Sequence, residues 1–168
     1  MACSTIETIL KGCDNNIGGI TSIYINDMDN ITGPIVEANW IISTFGALAD
    51  PFIPFEFRRN TGMFTEEAAI DLVNGSSFIT QTITLMFHRR EAAKSKAIKI
   101  LGEGQRDLAL VVGDANGKYW YFPNAQLTAV AEGSGTAKAD GSKYSITFVA
   151  ENENLAFEVA AGEIPNII

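Results

Sequence analysis

Residues 77–88, SFITQTITLMFH, constrain the fold more than any other part of the sequence. Apolar and polar residues alternate along this segment with a period of two, which is the pattern of a β-strand with one buried and one exposed face. The predicted inner face holds Ile79, Gln81, Ile83, Leu85 and Phe87, and the outer face holds Phe78, Thr80, Thr82, Thr84, Met86 and His88. A half-buried strand needs a layer packed against its apolar face, so the segment predicts a sheet with a core on one side.

The period of the pattern changes directly after this strand. In residues 90–104, REAAKSKAIKILGEG, apolar residues follow helical spacing and basic residues lie on the opposite, solvent-facing side, which we call the wet side. This pattern indicates an amphipathic helix that ends near Gly102. The apolar positions are Ala93, Ala97, Ile100 and Leu101, and the wet side carries Lys94, Lys96 and Lys99. One helix is therefore expected beside the sheet.

Turn signals divide much of the remaining chain into strands. Asn116–Gly117 lies between two apolar runs and predicts a β-hairpin. Residues 65–75, TEEAAIDLVNG, predict a short helix instead, because Thr65 can cap it and the two glutamates that follow lie at its positive N-terminal end. The predicted strands outside the hairpin are residues 20–26, 34–42, 55–59, 77–88, 125–132 and 144–151, with a last short strand around Phe157.

Many strands with one central helix predict a mainly β fold of the α+β type. We expect an antiparallel β-sandwich or barrel with one flanking α-helix. The chain has 168 residues, of which 46% are hydrophobic and 19% charged, and this fits one ordinary globular domain that can bury a core. No repeat or linker divides the sequence, so residues 1–168 are expected to form a single domain.

A long apolar connection, residues 39–57 (NWIISTFGALADPFIPFEF), separates two of these strands. Pro51 and Pro54 remove backbone donors, so the stretch does not predict a membrane-spanning helix, which needs about 20 predominantly apolar residues. The connection can fold over its own barrel as a plug or pack against a neighbouring subunit. We favour the subunit contact, because large exposed apolar patches usually mark association surfaces. Its expected anchors are Trp40, Phe45, Phe52 and Phe55.

The charge of the chain is unevenly distributed. The formal net charge of −8 argues against a protein that grips nucleic-acid phosphates, because such affinity comes chiefly from Lys and Arg. Residues 89–107 are an exception, with six basic and three acidic residues and a net charge of +3. Two interpretations of Lys94, Lys96 and Lys99 stay open: a solvated helix face, or a contact with an acidic face of another copy.

Patterns for catalysis and metal binding are incomplete. The serines near glycine do not form GxSxG, His88 is the single histidine, and no Walker, dinucleotide or HExxH spacing occurs. Residues 27–33, DMDNITG, begin like a calcium loop, but Ile31 occupies a ligand position. Cys3 and Cys13 are expected to be free thiols, although their pairing is left open. We expect no enzymatic activity, no cofactor and no metal site.

Three segments follow one another within residues 78–159: the strand and helix FITQTITLMFHRREAAKSKAIKIL, the hairpin LALVVGDANGKYWYF, and the closing pair AVAEGSGTAKADGSKYSITFVAE. This order of elements resembles that of bacteriophage tail-tube proteins and related virion ring proteins. The resemblance implies a β-sandwich or barrel whose copies join their sheets into a ring, commonly six-membered, with rings stacked through long loops.

This resemblance implies a structural protein of a phage tail. Such a chain forms a homo-oligomeric ring or tube, contacts other tail, hub or connector proteins, and lets DNA pass as cargo. We expect a neutral or acidic channel wall, with Asp114, Glu132 or Asp140 as candidate wall residues, because like charge discourages DNA from sticking. The expected location is the virion, after synthesis in the host bacterial cytoplasm.

Two further expectations concern membranes and an alternative function. The first residues, MACSTIETILKGCDNN, show no basic region followed by a continuous apolar segment, so we expect no secretory signal and no membrane contact. The alternative function, from another class, is a small-ligand or carbohydrate-binding β-barrel module. Its platform would be Tyr119, Trp120 and Tyr121, although consecutive residues of a strand cannot all face one side.

Overall fold

The structure, a computed structural model, describes residues 6–168. Residues 6–19 contain no helix or strand and lead into the first strand. The strands and α-helices that follow are β1 (Ile20–Asp27), β2 (Val36–Ala38), β3 (Ile41–Thr44), β4 (Ile53–Pro54), β5 (Gly62–Asp71), β6 (Ser76–His88), α1 (Ala92–Leu101), β7 (Leu108–Asp114), β8 (Tyr119–Gly133), β9 (Lys143–Asn152), β10 (Phe157–Val159) and α2 (Ile164–Ile167).

Strand β8 belongs to two halves of the sheet. Its first part pairs with β7 and β10, and its second part pairs with β9. The first half has the order β2-β3-β10-β8-β7-β1-β4, and the second half continues from β8 through β9 and β6 to β5. A register shift between Leu127 and Ala129 interrupts the β8–β9 ladder, and irregularities of this kind let a long strand bend.

The sheet is mixed and open. Strands β2, β4 and β5 each pair on one side only among residues 6–168, so no ladder closes the sheet into a barrel. All pairings between the strands are antiparallel except that of β3 with β10, which is parallel. The prediction of a mainly β fold is confirmed, but the barrel alternative and a strictly antiparallel sheet are wrong.

Both halves of the sheet contribute to the main core. The predicted inner face of β6 is confirmed from Gln81 onward, because Gln81, Ile83, Leu85 and Phe87 are buried, whereas Ile79 is only partly buried. The three apolar side chains Ile83, Leu85 and Phe87 share one cluster with Ile23 and Ile25 of β1, Leu108, Leu110 and Val112 of β7, Phe122 of β8, and Tyr144, Ile146 and Phe148 of β9. Helix α1 covers one side of this cluster with Ile98 and Leu101. The predicted apolar face of this helix is therefore mostly wrong, since Leu101 is buried but Ala93, Ala97 and Ile100 are exposed, and the buried Ile98 was not predicted.

A second core lies on the other face of the first half of the sheet. Strand β7 supplies both cores, because Ala109 and Val111 point away from the main cluster and join the second one. The remaining buried members of the second core are Ile42, Phe45, Phe52, Tyr121, Val159, Ile164 and Ile167. The last two come from α2, so a second, short helix flanks the sheet in addition to the predicted one.

Three local predictions are wrong for reasons visible in the pairing. Residues 65–75 form most of β5 and its turn rather than a helix, because β5 pairs with β6 along its whole length. Residues 34–42 form two short strands, since Asn39 and Trp40 adopt positive φ angles of 54° and 64° and reverse the chain between them. Residues 55–59 form no strand, and the nearest strand is β4, which ends at Pro54 and pairs with β1.

The hairpin prediction and the predicted last strand are confirmed. Strands β7 and β8 meet at the turn that contains Asn116 and Gly117, where Gly117 has a φ of 80° that a glycine adopts without strain. Strand β10 lies at the expected position around Phe157. One difference is that residues 125–132 are not a separate strand, because β8 continues through Pro123, with a register shift against β7 and a φ of 54° at Asn124.

Candidate assembly surfaces

The connection at residues 39–57 divides into a buried part and an exposed part. Phe45 and Phe52 are 0% and 1% exposed, and both fill the second core of the same chain. They pack against each other with ring centroids 5.5 Å apart, and Phe45 meets the edge of Tyr121 at 5.1 Å. The prediction that these two phenylalanines anchor a subunit interface is therefore wrong. For them the plug alternative is correct, because the chain's own sheet already covers them.

The C-terminal segment, residues 161–168, binds the buried part of the connection, which we call the plug. The backbone N–H of Phe52 donates to the carbonyl of Ile167 at 2.6 Å, and the backbone N–H of Phe45 donates to Oε1 of Glu163 at 3.0 Å. Oε2 of Glu163 accepts from the Asn166 side chain at 2.8 Å. Burial raises the pKa of the Glu163 carboxyl, but hydrogen bonds from Asn166, Phe45 and Thr44 outweigh it and hold the pKa below its ordinary value. The carboxylate thus remains charged inside the plug.

Trp40 is the part of this connection that remains accessible. Its side chain is 52% exposed, and its ring stacks on Phe157 with centroids 4.9 Å apart. Its backbone N–H donates to Oε1 of Glu37 at 2.6 Å, and its carbonyl accepts from the backbone of Glu158 at 3.0 Å. These contacts hold a bulky residue in the left-handed region, which is uncommon outside glycine and asparagine. Trp40 stays a predicted interface residue.

Phe55 lines an open groove between α1 and the segment after β4. The ring of Phe55 packs against Phe87 at a centroid distance of 6.2 Å. The groove has a volume of about 310 Å³, and its apolar lining consists of Pro54, Phe55, Phe87, Ala93, Ala97 and Ile98. A second depression of about 320 Å³ adjoins it and is lined by Arg58, His88, Arg89 and Lys94. We name the two together the helix groove, with an apolar half and a basic half.

The helix lysines occupy two different environments. The ammonium of Lys94 donates to the carbonyls of His88 at 2.9 Å and Arg89 at 3.3 Å, and it lies 3.6 Å from the carboxylate of Glu91. Lys96 and Lys99 are exposed and form no ion pair within residues 6–168. Lys94 therefore supports its own chain, whereas Lys96 and Lys99 stay predicted contact residues.

The most exposed apolar surface next to the sheet is the end of the β5–β6 hairpin, which the sequence interpretation missed. Strand β9 pairs with β6 only from Ile79 onward, so the first residues of β6 pair with β5 alone and the hairpin projects beyond the sheet. The apolar side chains on this projection are Ile70, Leu72, Val73 and Phe78, exposed at 68%, 90%, 93% and 43%. We name these four side chains the hairpin tip.

A sequence signal for this hairpin was present. Asn74–Gly75 is the same turn pair that correctly predicts the β7–β8 hairpin, and Gly75 has a φ of 66°. The glutamates and alanines of residues 66–69 favour a helix by propensity, and this obscured the turn. Pairing along the whole of β6 outweighs that propensity.

The residues proposed as a ligand platform are separated. Tyr121 is buried in the second core, where burial raises the pKa of its hydroxyl. Trp120 belongs to the opposite face of β8 and donates its indole N–H to Oδ2 of Asp114 at 3.0 Å. Tyr119 and Trp120 are only partly exposed. The three rings therefore do not form one binding surface.

The structure assembles no chemical site from the other candidates. Within residues 6–168, no group of three or more His, Cys, Asp or Glu side chains is placed to hold a metal ion. His88 lies in the wall of the basic half of the helix groove, where its Nδ1 atom is buried without a hydrogen-bond partner from the described part of the chain. Cys13 is exposed, and Cys3 lies outside the described residues.

A helix that crosses a bilayer needs about 20 predominantly apolar residues. None of the helices in residues 6–168 has the length and apolar character needed to cross it.

No protein-family model matches this sequence, and no curated protein matches it. The surfaces described above are therefore the basis for a functional proposal.

Proposed function

We propose that this chain is a structural protein that assembles with copies of itself into a ring or tube of a bacteriophage tail. The observation that carries the proposal is the hairpin tip, where four apolar side chains project beyond the sheet. Ile70 pairs with Ser77 and Phe78 with Ala69, so the tip exposes apolar side chains on both faces of the hairpin and at its turn. Exposed apolar side chains clustered in this way usually mark an association site in soluble proteins. Burying each large apolar side chain is worth about 1.5–3 kcal/mol, so Leu72 and Val73 at the turn can already support a contact.

The free edges of the sheet support the same proposal. Strand β5 offers ten residues, Gly62–Asp71, whose outer edge pairs with nothing in the described chain. Exposed edges of this length invite pairing with another chain, and closed assemblies use such pairing in a controlled way. A repeating arrangement of copies would satisfy these backbone groups and would cover the hairpin tip at the same time.

The charge of the chain is compatible with a conduit for DNA. At a net charge of −8, passage of DNA is favoured over tight binding, because the phosphates are repelled by most of the surface. The proposed location is the virion tail, with DNA as passing cargo and with other tail, hub or connector proteins as neighbours. A six-fold ring is the proposed arrangement, as implied by the resemblance in residues 78–159.

Light scattering and negative-stain electron microscopy of the purified chain test this proposal. We expect a mass well above the 18.1 kDa of one chain and images of rings or tubes. Leu72→Ser combined with Val73→Ser should reduce the mass to that of a monomer, because both side chains are almost fully exposed and their loss removes only association energy. Leu155→Ser, at a half-exposed site outside the hairpin tip, is the matched control and should assemble normally.

One outcome would contradict the proposal. A chain that stays monomeric at high protein concentration, in the absence and presence of salt, would contradict self-assembly. That result would favour the alternative of a small-ligand or carbohydrate-binding module.

A further inference from the structure

The hairpin tip and the helix groove lie at opposite ends of one strand. Phe78 is near the start of β6 and belongs to the tip, whereas Phe87 is near the end of β6 and lines the groove. At about 3.3 Å per residue, the two positions are about 30 Å apart along the strand. Between them β6 is paired with β5 on one side and β9 on the other. The tip therefore cannot reach the groove of its own chain.

The surface around the hairpin tip is apolar and acidic. Residues 62–78 contain Glu66, Glu67 and Asp71 and no basic residue. Glu66 is used inside the chain, where it accepts a hydrogen bond of 2.7 Å from the Gln81 side chain. Glu67 and Asp71 are exposed, and hydrogen bonds from Asn74 and Val73 hold the pKa of Asp71 below its ordinary value. The tip thus presents apolar side chains next to negative charge.

The helix groove has the complementary chemistry. Its apolar half offers aromatic and alanine side chains, and its basic half is lined by Arg58, Arg89 and Lys94. Two carboxylates lie near these three cations: Glu56 lines both halves, and Glu91 contacts Arg89 at 3.3 Å and Lys94 at 3.6 Å. One positive charge is left in excess beside an apolar surface.

We propose that the hairpin tip of one copy binds the helix groove of a second copy. This inference rests on the proposed function, because it names the two surfaces that meet in the assembly. Leu72 and Val73, the most exposed side chains of the tip, cover Phe55 and Phe87 in the apolar half, and Asp71 lies toward the basic half. Charge complementarity favours contact between a tip and a groove over contact between two tips, because two tips carry like charge and repel each other.

The contact is head-to-tail rather than two-fold symmetric. Donor and acceptor are different surfaces about 30 Å apart along β6, so binding through one leaves the other available. If the rotation between neighbouring copies brings the last copy back to the first, a ring closes. If it does not, an open filament grows. The same pair of surfaces therefore accounts for a ring or a filament, whereas stacking of rings into a tube needs a further contact, for which the free edge of β5 is available.

A mixing experiment with two variants tests the pairing directly. The tip variant is Leu72→Ser with Val73→Ser, and the groove variant is Ala97→Glu, which puts a carboxylate into the apolar half. All three positions are exposed, so circular dichroism is expected to be unchanged. Ala93→Glu, on the same wall of the groove, replaces Ala97→Glu if that variant loses its fold. Ile100→Ser, at an exposed apolar position of α1 outside the groove, is the control and should assemble normally.

Each variant alone is expected to have the mass of one chain, 18.1 kDa. An equimolar mixture is expected to form a complex of two chains and nothing larger, because one variant retains only a working groove and the other only a working tip. Analytical ultracentrifugation separates these species. No other arrangement of a single interface gives this result, since a symmetric contact broken in both variants would not be restored by mixing.

Three outcomes overturn the inference, and they separate it from the proposed function. If both groove variants assemble like the unmodified chain, the groove is not the acceptor, although self-assembly stands. If each variant stops assembly but the mixture stays monomeric, tip and groove do not bind each other. If the unmodified chain is itself a monomer at every concentration, the proposed function fails and this inference fails with it.

Discussion

The backbone N–H of Phe45 donates a hydrogen bond of 3.0 Å to the carboxylate of Glu163, which lies 118 residues further along the chain. This bond joins the apolar connection to the C-terminal segment above the second core. Next to this bond, the parallel pairing of β3 with β10 and the backbone hydrogen bond from Phe52 to Ile167 join the same parts of the chain, and side-chain packing in the second core adds to them. Bonds to charged groups contribute more to stability than neutral ones, about 1.5–3 kcal/mol.

Replacing Glu163 should destabilise the folded chain. Glu163→Ala leaves the buried N–H of Phe45 without an acceptor, and an unsatisfied buried donor costs about 1–3 kcal/mol. Glu163→Gln keeps an acceptor oxygen and should cost less. The midpoint of urea unfolding measures both changes, with the exposed Glu153→Ala as control. A midpoint for Glu163→Ala equal to that of the control would show that the bond contributes nothing.

The stability of the chain should fall in acid, in part through Glu163. Its pKa is lowered in the folded state, so its contribution is fully present above the unfolded glutamate pKa of about 4.3. That contribution is lost as the pH falls through the lower folded value. Unfolding midpoints measured from pH 7 to pH 3 should therefore decrease less steeply for Glu163→Gln than for the unmodified chain. Identical slopes for the two proteins would exclude a role of this carboxylate.

Phe52 and Phe55 should respond differently to substitution. Phe52→Ala removes a fully buried ring from the second core and should cost about 3–5 kcal/mol of unfolding free energy. Phe55→Ala removes a partly buried ring at the helix groove, so it should cost less and should mainly weaken assembly. Thermal unfolding and light scattering on the same samples distinguish the two effects. Equal losses of stability at both positions would contradict this division.

The exposed helix lysines are predicted to face an acidic surface of another copy. If so, Lys96→Glu with Lys99→Glu should weaken assembly, and added salt should do the same, because exposed charge pairs are screened over about 8–10 Å at ordinary ionic strength. Lys138→Glu, at another exposed position, controls for the change in net charge. Sedimentation at several salt concentrations is the measurement. If assembly responds to neither change, both lysines belong to a solvated helix face and make no contact with another copy.

The isolated chain should not retain DNA in a gel-shift experiment at physiological salt. Its longest segment of positive excess, residues 89–107, carries +3 against a total of −8. The proposed acidic wall residues are fixed within the chain: Asp114 accepts from Trp120, Glu132 pairs with Arg90 at 3.1 Å, and Asp140 accepts from two backbone amides of its own loop. Micromolar, salt-sensitive binding would contradict the passenger role of DNA.

The amino-acid sequence by itself determined the elements that depend on local chemistry. The alternation in residues 77–88 correctly predicted β6 and its buried face, because the pleat sends successive side chains to opposite sides. The change to helical spacing predicted α1, and Asn116–Gly117 predicted the turn between β7 and β8. These signals are contained within short windows, so no knowledge of distant residues was needed.

Only the tertiary structure decided which apolar residues are buried and which are left for a partner. In the sequence, Phe45 and Phe52 cannot be told from Trp40 and Phe55, because all four are large aromatic residues of one apolar connection. In the structure, the C-terminal segment covers Phe45 and Phe52 and leaves Trp40 and Phe55 accessible. The hairpin tip became visible only when the register showed that β9 ends before the turn of β5 and β6. Burial and register are set by contacts between residues far apart in the chain, and apolar composition is the same for a core side chain and an interface side chain until those contacts are known.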